Sequence, residues 1–356
     1  MQNCSIDALP RHHIRVLVVD DSSLMRQMLR SILDSVPDIE VVGTAPDPFV
    51  ARQMIKELNP DVVTLDVEMP KMDGMTFLQK IMTLRPMPVV MVSSLTKRGA
   101  DITLRALECG AIDFVTKPGG AVKDALGELK AALIPKVRAA ANATLPSSAS
   151  RQDQHSSRPV TNWQRAGTGL IAIGASTGGV TAIQAVLSAL PPTSPGVVIV
   201  QHMPPTFTKS FAARLDKASQ LTVVEARDGE RIARGHAYVA PGGQHLEVAK
   251  GTGGFRCHVH DGPLISDHRP SADLMFQSVA RHVGARSVGI ILTGMGRDGA
   301  EGLLAMRNAG ATTLGQNQAS CVVYGMPKAA MEIGAVASEL RLEDIGKEIC
   351  STSEAA

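Results

Sequence analysis

The chain has 356 residues, a net charge of +2, only ten aromatic side chains (one Trp, two Tyr, seven Phe) and five cysteines. That length suits two cores better than one. The balanced charge and scarce aromatics exclude a basic or base-stacking nucleic-acid surface, and no apolar run approaches the ~20 residues of a membrane span.

In chain order, short β-branched runs alternate with amphipathic stretches. Residues 15–19, 40–44, 62–65, 89–92 and 114–116 read as strands; 24–33, 49–58, 75–84, 103–109 and 124 to about 141 read as helices. Five continuous apolar strands alternating with five helices predict a parallel, doubly wound α/β sheet across 13–138. From 139 to 167 the periodicity dissolves into Ser147, Ser148, Ser150, Ser156 and Ser157 between Pro146 and Pro159. This reads as a flexible linker, an ordered surface loop being the alternative. Across 168–350 the alternation resumes, with strands at 170–173, 197–200, 221–224, 288–292 and 312–314 and helices at 183–190, 207–218, 274–283 and 302–309. Residues 237–240 and 245–248 flank Pro241-Gly242-Gly243 and read as an antiparallel hairpin beside a second parallel sheet. Cys4, Cys109, Cys257, Cys321 and Cys350 show no metal or disulfide spacing. Reduced thiols in a soluble, cytoplasmic protein are the expectation, and His12, His13 and Arg15 before a short apolar run form no signal peptide.

Ligands of an open parallel sheet bind at the carboxyl ends of its strands. Asp20 and Asp21 follow the first strand, Asp66 ends the third, Ser93 and Ser94 follow the fourth and Lys117 follows the fifth. Three converging carboxylates repel one another and call for a hard divalent cation, Mg²⁺ above all. Lys117 and a serine hydroxyl would then meet an incoming phosphoryl group. In their order and strand positions, residues 13–138 resemble the response-regulator receiver family. The resemblance implies a flavodoxin-like fold, Asp66 as phosphoacceptor, Ser93 (or Ser94) and Phe114 as switch residues with Lys117, and a metal site of Asp20, Asp21, Asp66 and the Glu68 backbone carbonyl. Asp73-Gly74 after Met69-Pro70 also fits that pattern.

In the second half, Gly174-Ala175-Ser176-Thr177-Gly178 satisfies the nucleophile-turn pattern between a strand and a helix. A Gly-rich phosphate loop is the competing reading, but the full dinucleotide fingerprint and its acidic partner are missing. A serine needs a base. His202 alone among ten histidines ends a strong strand one crossover after Ser176. The orienting acid must reach the same edge. Asp298 follows the strand at 288–292 through Thr293-Gly294-Met295-Gly296, whereas Asp267 and Asp273 read as a turn and a helix cap. The order Ser, His, Asp differs from the Ser, Asp, His of ordinary α/β-hydrolases. With Gly178-Gly179, Gln201-His202-Met203 and the segment 293–300, residues 168–350 resemble the catalytic domain of the CheB-type chemotaxis methylesterases. Arg297 stands where that pattern has Asn.

What the resemblance implies is a monomeric, phosphorylation-activated hydrolase acting on γ-glutamyl methyl esters and certain glutamines of methyl-accepting chemotaxis receptors. Ser176, His202 and Asp298 would be catalytic, and backbone N–H groups near Thr177 and Met295 would meet the oxyanion. A chemotaxis histidine kinase would be the phosphodonor, and no cofactor would be needed for hydrolysis. The unphosphorylated receiver would restrain the catalytic face, and phosphorylation would shift its equilibrium. A non-enzymatic signalling protein with a partner-binding second domain is the competing class.

Overall fold

A computed structural model describes residues 13–69, 72–118, 122–145, 167 and 169–350, the side chains of 97 and 122–125 excepted. Pro70 of the acidic motif and residues 146–166 of the expected linker lie outside the described residues. Two compact units result. One is built on the chain up to Leu95 with Cys109–Ala143, the other on Thr96–Glu108 and the chain from Thr144 onward.

The first sheet comprises β1 (Ile14–Val19), β2 (Ile39–Ala45), β3 (Val62–Asp66), β4 (Val89–Ser93) and β5 (Asp113–Thr116), in the order β2-β1-β3-β4-β5. Every pairing is parallel. This is the flavodoxin-like order, whose switch point lies between β1 and β3. Its interleaving helices are α1 (Ser23–Leu33), α2 (Pro48–Leu58), α3 (Gly74–Leu84), α4 (Lys97–Glu108) and α5 (Val122–Ala141). Local chemistry sets the starts. The Ser22 hydroxyl accepts from Met25 N, Asp47 from Phe49 N and Val50 N ahead of Pro48, and Asp73 from Thr76 N, so α1, α2 and α3 each open on a side-chain cap. With Ser22 as cap, Asp20 and Asp21 are released from that role. Helix α5 runs to Ala141, so the first residues of the expected linker are helical.

In the second unit, β6 (Leu170–Ala175), β7 (Gly196–Gln201), β8 (Thr222–Glu225), β9 (His236–Val239), β12 (Ser287–Ile291), β13 (Thr312–Gln316) and β14 (Ser338–Leu340) form a seven-stranded sheet ordered β14-β13-β12-β6-β7-β9-β8. All six pairings are parallel. The antiparallel hairpin is present, but its strands are β10 (His245–Gly251) and β11 (Gly254–His260). Residues 236–239 belong to the parallel sheet, which corrects the expected pairing across Pro241-Gly242-Gly243. Helices α6 (Gly179–Ala189), α7 (Pro205–Ala218), α8 (Ala272–His282), α9 (Ala300–Asn308), α10 (Met326–Glu332) and α11 (Leu342–Cys350) complete the unit. No helix among the described residues is long and apolar enough to cross a membrane.

The central strands of both sheets are buried along nearly all of their length, as parallel strands covered on both faces require. In the second unit one aromatic ring joins sheet to helices close to β12. Phe276 of α8 is fully buried. A β-carbon on Gly174 would come within 3.1 Å of its ring, one on Gly299 within 3.2 Å, and one on Gly302 within 2.8 Å of its own β-carbon. Truncation would leave a void lined by glycines that have no side chains to fill it. Phe276→Ala is therefore expected to destabilise the second unit by about 3–5 kcal/mol, read as a lowered midpoint of urea unfolding at unchanged slope. A loss under about 1 kcal/mol would mean that the site collapses freely.

Candidate active site and acidic cluster

The chain leaves β6 to one side for β7 and returns on the other as β12, so β6 lies at the switch point. Ala175 pairs with Gln201 in the β6–β7 ladder. Ser176 and His202 are the next residues on two adjacent strands. His202 N donates to Ala175 O at 3.2 Å, and Ser176 N donates to Thr293 O, beyond β12, at 3.1 Å. The turn into α6 passes through Gly178 at φ 79°. Ser176 itself keeps an ordinary backbone conformation, unlike the strained serine of a nucleophile elbow. The close approach of β12 requires Gly294, where a β-carbon would lie 2.8 Å from that of Ser176.

His202 Nε2 and Asp298 Oδ2 are 2.7 Å apart, with both side chains buried. Asp298 also accepts from Ser271 Oγ at 2.7 Å, Ala272 N at 2.7 Å and Asp273 N at 3.2 Å. The two amides are the first of α8, where the helix dipole favours an anion. Burial pushes the Asp298 carboxyl up, but its hydrogen bonds to His202, Ser271 and Ala272 outweigh that and hold it below the ordinary carboxylate range. His202 therefore donates Nε2–H to an ionised acid, which leaves Nδ1 as the nitrogen with a lone pair. Nδ1 is buried and has no hydrogen-bond partner. No hydrogen bond joins it to Ser176 Oγ. The Met295 N–H makes no hydrogen bond to a described residue. Thr177 is buried, its carbonyl accepting from Thr293 Oγ1 at 3.0 Å.

Other candidates fall away. Asp267 is exposed on a turn at φ 62°. Asp273 points away from His202 chemistry and accepts from Gly302 N, in the first turn of α9, at 2.7 Å. Burial holds the Cys257 and Cys321 thiols up at about 12 and Cys350 at about 11, so none of the three is a ready thiolate nucleophile. Arg297 is exposed and pairs with Glu301 at 3.6 Å.

Three residues were given no role of their own from the sequence, Gln201 having entered only as part of the Gln201-His202-Met203 motif. Gln201 Nε2 donates to Ser176 O at 2.9 Å and His202 O at 3.2 Å, clamping the two strand ends. Ser271 both caps α8 and binds Asp298. His268 stacks on His202, with ring centroids 3.7 Å apart and planes 15° apart. Gln201 and Ser271 stood in readable positions, beside His202 and ahead of a helix. His268 carried no signal, since it precedes no element.

In the first unit Asp20 and Asp66, at the ends of β1 and β3, are buried, and Asp21 is exposed. Oxygens of all three lie within 4.8 Å of one another. Lys117 Nζ is 2.9 Å from Asp20 Oδ2 and 2.8 Å from Asp66 Oδ2, although neither oxygen receives a hydrogen bond of good direction. Burial, and then the neighbouring Asp20 charge, lift the Asp66 carboxyl to about 6 against the pull of Lys117. Two buried oxygens short of donors, in an acid cluster with one lysine, fit a small hard cation. Glu68 N donates to Asp66 Oδ1 at 3.3 Å. Gly74 allows α3 to start against the Asp66 carbonyl, where a β-carbon would collide. Ser93 is fully buried, half-buried Ser94 follows it, and Ser93 O accepts from Lys117 N at 2.7 Å. Phe114 is buried with Lys136 Nζ 5.0 Å from its ring centre.

A five-stranded sheet with an acid cluster at its switch point, joined in one chain to a second sheet bearing a serine, a histidine and an ionised aspartate, defines a response regulator with an enzymatic output unit. The receiver-domain profile matches residues 16–125 and the CheB methylesterase profile 171–349. The chain belongs to the CheB methylesterase family. It is 54% identical over 341 residues to a protein-glutamate methylesterase/protein-glutamine glutaminase of Pectobacterium atrosepticum, covering 94% of this chain and 96% of that one. It is equally identical over 344 residues to the protein of that description in Shigella flexneri, covering 96% and 97%. The crystal structure of the Thermotoga maritima CheB methylesterase catalytic domain matches 51% of this chain and 97% of its own at 37% identity, with a TM-score of 0.50.

Asp273, in the first turn of α8, has a pH consequence. Burial, and then the nearby Asp298 charge, raise Asp273 to about 6 against the Gly302 hydrogen bond. A carboxyl whose folded pKa is raised stabilises the fold fully below its unfolded value near 4 and loses that contribution as pH rises through about 6. Asp273→Asn keeps the acceptor and removes the charge. Its thermal midpoint should exceed wild type at pH 7.5, by about 1–3 kcal/mol in stability, and the advantage should vanish by pH 4. An equal gain at both pH values would refute the burial argument.

Proposed function

We propose that this chain hydrolyses γ-glutamyl methyl esters, and deamidates selected glutamines, on methyl-accepting chemotaxis receptors, and that phosphorylation of Asp66 by a chemotaxis histidine kinase raises that activity. The observation that carries the hydrolytic reading is the 2.7 Å contact between His202 Nε2 and an Asp298 held ionised by three further donors, on strands adjacent to that of Ser176.

Ser176 Oγ attacks the acyl carbon while His202 Nδ1 takes its proton, and Asp298 stabilises the resulting imidazolium without itself accepting a proton. The backbone N–H groups of Thr177 and Met295 meet the tetrahedral oxyanion. Collapse expels methoxide or amide, which takes the proton from His202 and leaves as methanol or ammonia. Water then attacks the acyl-serine, again giving its proton to His202. That proton returns to Ser176 as the glutamate is released. In the first unit Asp20, Asp21, Asp66 and the Glu68 carbonyl would hold Mg²⁺. Bound there, the ion supplies positive charge that offsets the phosphoryl oxygens. Lys117 pairs with the phosphoryl group, and Ser93 with Phe114 reports it. The domains assigned to these roles are 13–138 and 168–350.

Ser176→Ala should reduce methanol release from methylated receptor membranes to background while acetyl phosphate still modifies Asp66. Activity near wild type would move the nucleophile elsewhere. Asp66→Asn should keep the basal rate and lose the response to acetyl phosphate. Were its basal rate to fall as far as that of Ser176→Ala, the division of labour between the units would be wrong.

A further inference from the structure

Among the described residues the His202 ring is hydrogen-bonded at one edge. Nε2 is bound to Asp298, while Nδ1 is buried without a partner. A tether at Cγ and one hydrogen bond at Nε2 do not by themselves fix the plane of the ring, and a base whose plane turns cannot keep its lone pair aligned. The His268 ring lies against its face, centred 3.7 Å away and tilted by 15°. We propose that His268 is a positioning residue for the hydrolytic reaction, fixing the plane of the His202 imidazole by stacking on it.

The backbone is arranged for this. Ile265 and His268 exchange both backbone hydrogen bonds, at 3.1 and 2.9 Å, around Ser266 and Asp267. Those two residues have φ of 50° and 62°. Left-handed conformations are unfavourable for residues with a β-carbon and persist where the surroundings impose them. The surroundings here are anchored. Buried His245 bonds Pro263 O through Nε2 at 2.8 Å, and Gly243 N donates to Arg269 O at 3.2 Å. Three residues beyond His268 comes Ser271, followed by Ala272 and Asp273, the donors that hold Asp298. One short segment thus places the ring against the base and the donors on the acid. The effect assigned to His268 passes through the ring of His202, on which it stacks.

The inference rests on the hydrolase reading above, and the test separates the two. Full-length protein is assayed for kcat and KM of methanol release from methylated receptor membranes, with unfolding followed alongside. His268→Ala should lower kcat by about tenfold or more with KM within about twofold, since misalignment penalises the transition state and spares ground-state binding. His268→Phe, which restores a flat ring without an ionisable group, should recover kcat to within about threefold of wild type. Wild-type kcat in His268→Ala overturns the proposal. So does His268→Phe as slow as His268→Ala, because the imidazole itself would then be needed, and so does a rise in KM alone. Should His268→Ala fail to fold, His268→Gln replaces it, with the same loss expected and a wild-type rate fatal. Ser176→Ala on the same membranes tests the underlying reading. Background activity there leaves the His268 series to decide the positioning role, whereas retained activity removes both.

Discussion

Asp298 is a negative charge without access to water, and much of the second unit is arranged around that fact. An ion buried this deeply persists only when hydrogen-bond donors replace its hydration. Here two come from the first amides of α8, one from Ser271 and one from His202. To deliver them, α8 must start against the segment that leaves β12, and Gly174, Gly299 and Gly302 leave room for its Phe276 to close that approach. The packing beneath the site and the electrostatics within it are therefore one constraint. The chemical result is a fixed tautomer, with Nε2–H committed to the acid and the basic lone pair on Nδ1.

The first unit handles buried acids in the opposite way. Asp20 and Asp66 share one lysine and the Oδ2 atom of each lacks a well-directed donor, and the Asp66 carboxyl sits at about 6, raised first by burial. Burial works against the Lys117 cation too, yet the carboxylates hold its pKa above the ordinary lysine value. This cluster is under-compensated where that of Asp298 is saturated. An under-compensated cluster leaves room for a further positive charge. A saturated one does not.

Both sheets were legible because parallel strands buried on two faces write themselves as unbroken apolar runs, and because the punctuation at their ends is acidic, glycine-rich or both. Asp20, Asp66, Lys117, Ser176, His202 and Asp298 all follow such runs, and the structure puts each at a carboxyl edge. The misreading at 237–248 has a physical cause. Strand β9 is short and its neighbour β10 begins after a Pro-Gly-Gly turn, so proximity in sequence suggested pairing. The true partner, Gly254–His260, hides its alternation of Phe255, Cys257 and Val259 among Arg256, His258 and His260. His268 and the amides at the start of α8 were beyond reach for another reason. Their importance comes from three-dimensional juxtaposition with elements some 25 to 65 residues away, and nothing in their own neighbourhood encodes it.

The order of the three site residues along the chain follows from where the sheet reverses. Strand β6 comes first and is central. One crossover adds β7 on one side, and only after β8, β9 and the hairpin does the chain return to lay β12 on the other. Ser176 thus follows the middle strand, His202 the strand laid next, and Asp298 comes in the segment after the strand laid late. In the first sheet the same logic puts Asp20 on β1 and Asp66 on β3, the two strands flanking its own reversal. At each reversal the helices leave toward opposite faces, opening a crevice at the strand ends that neither helix fills. A buried carboxylate that meets chemistry can be accommodated there, because backbone N–H groups of a loop or helix start are within reach to hold it. The acid cluster and the group of Ser176, His202 and Asp298 thus occupy corresponding positions in two separate sheets.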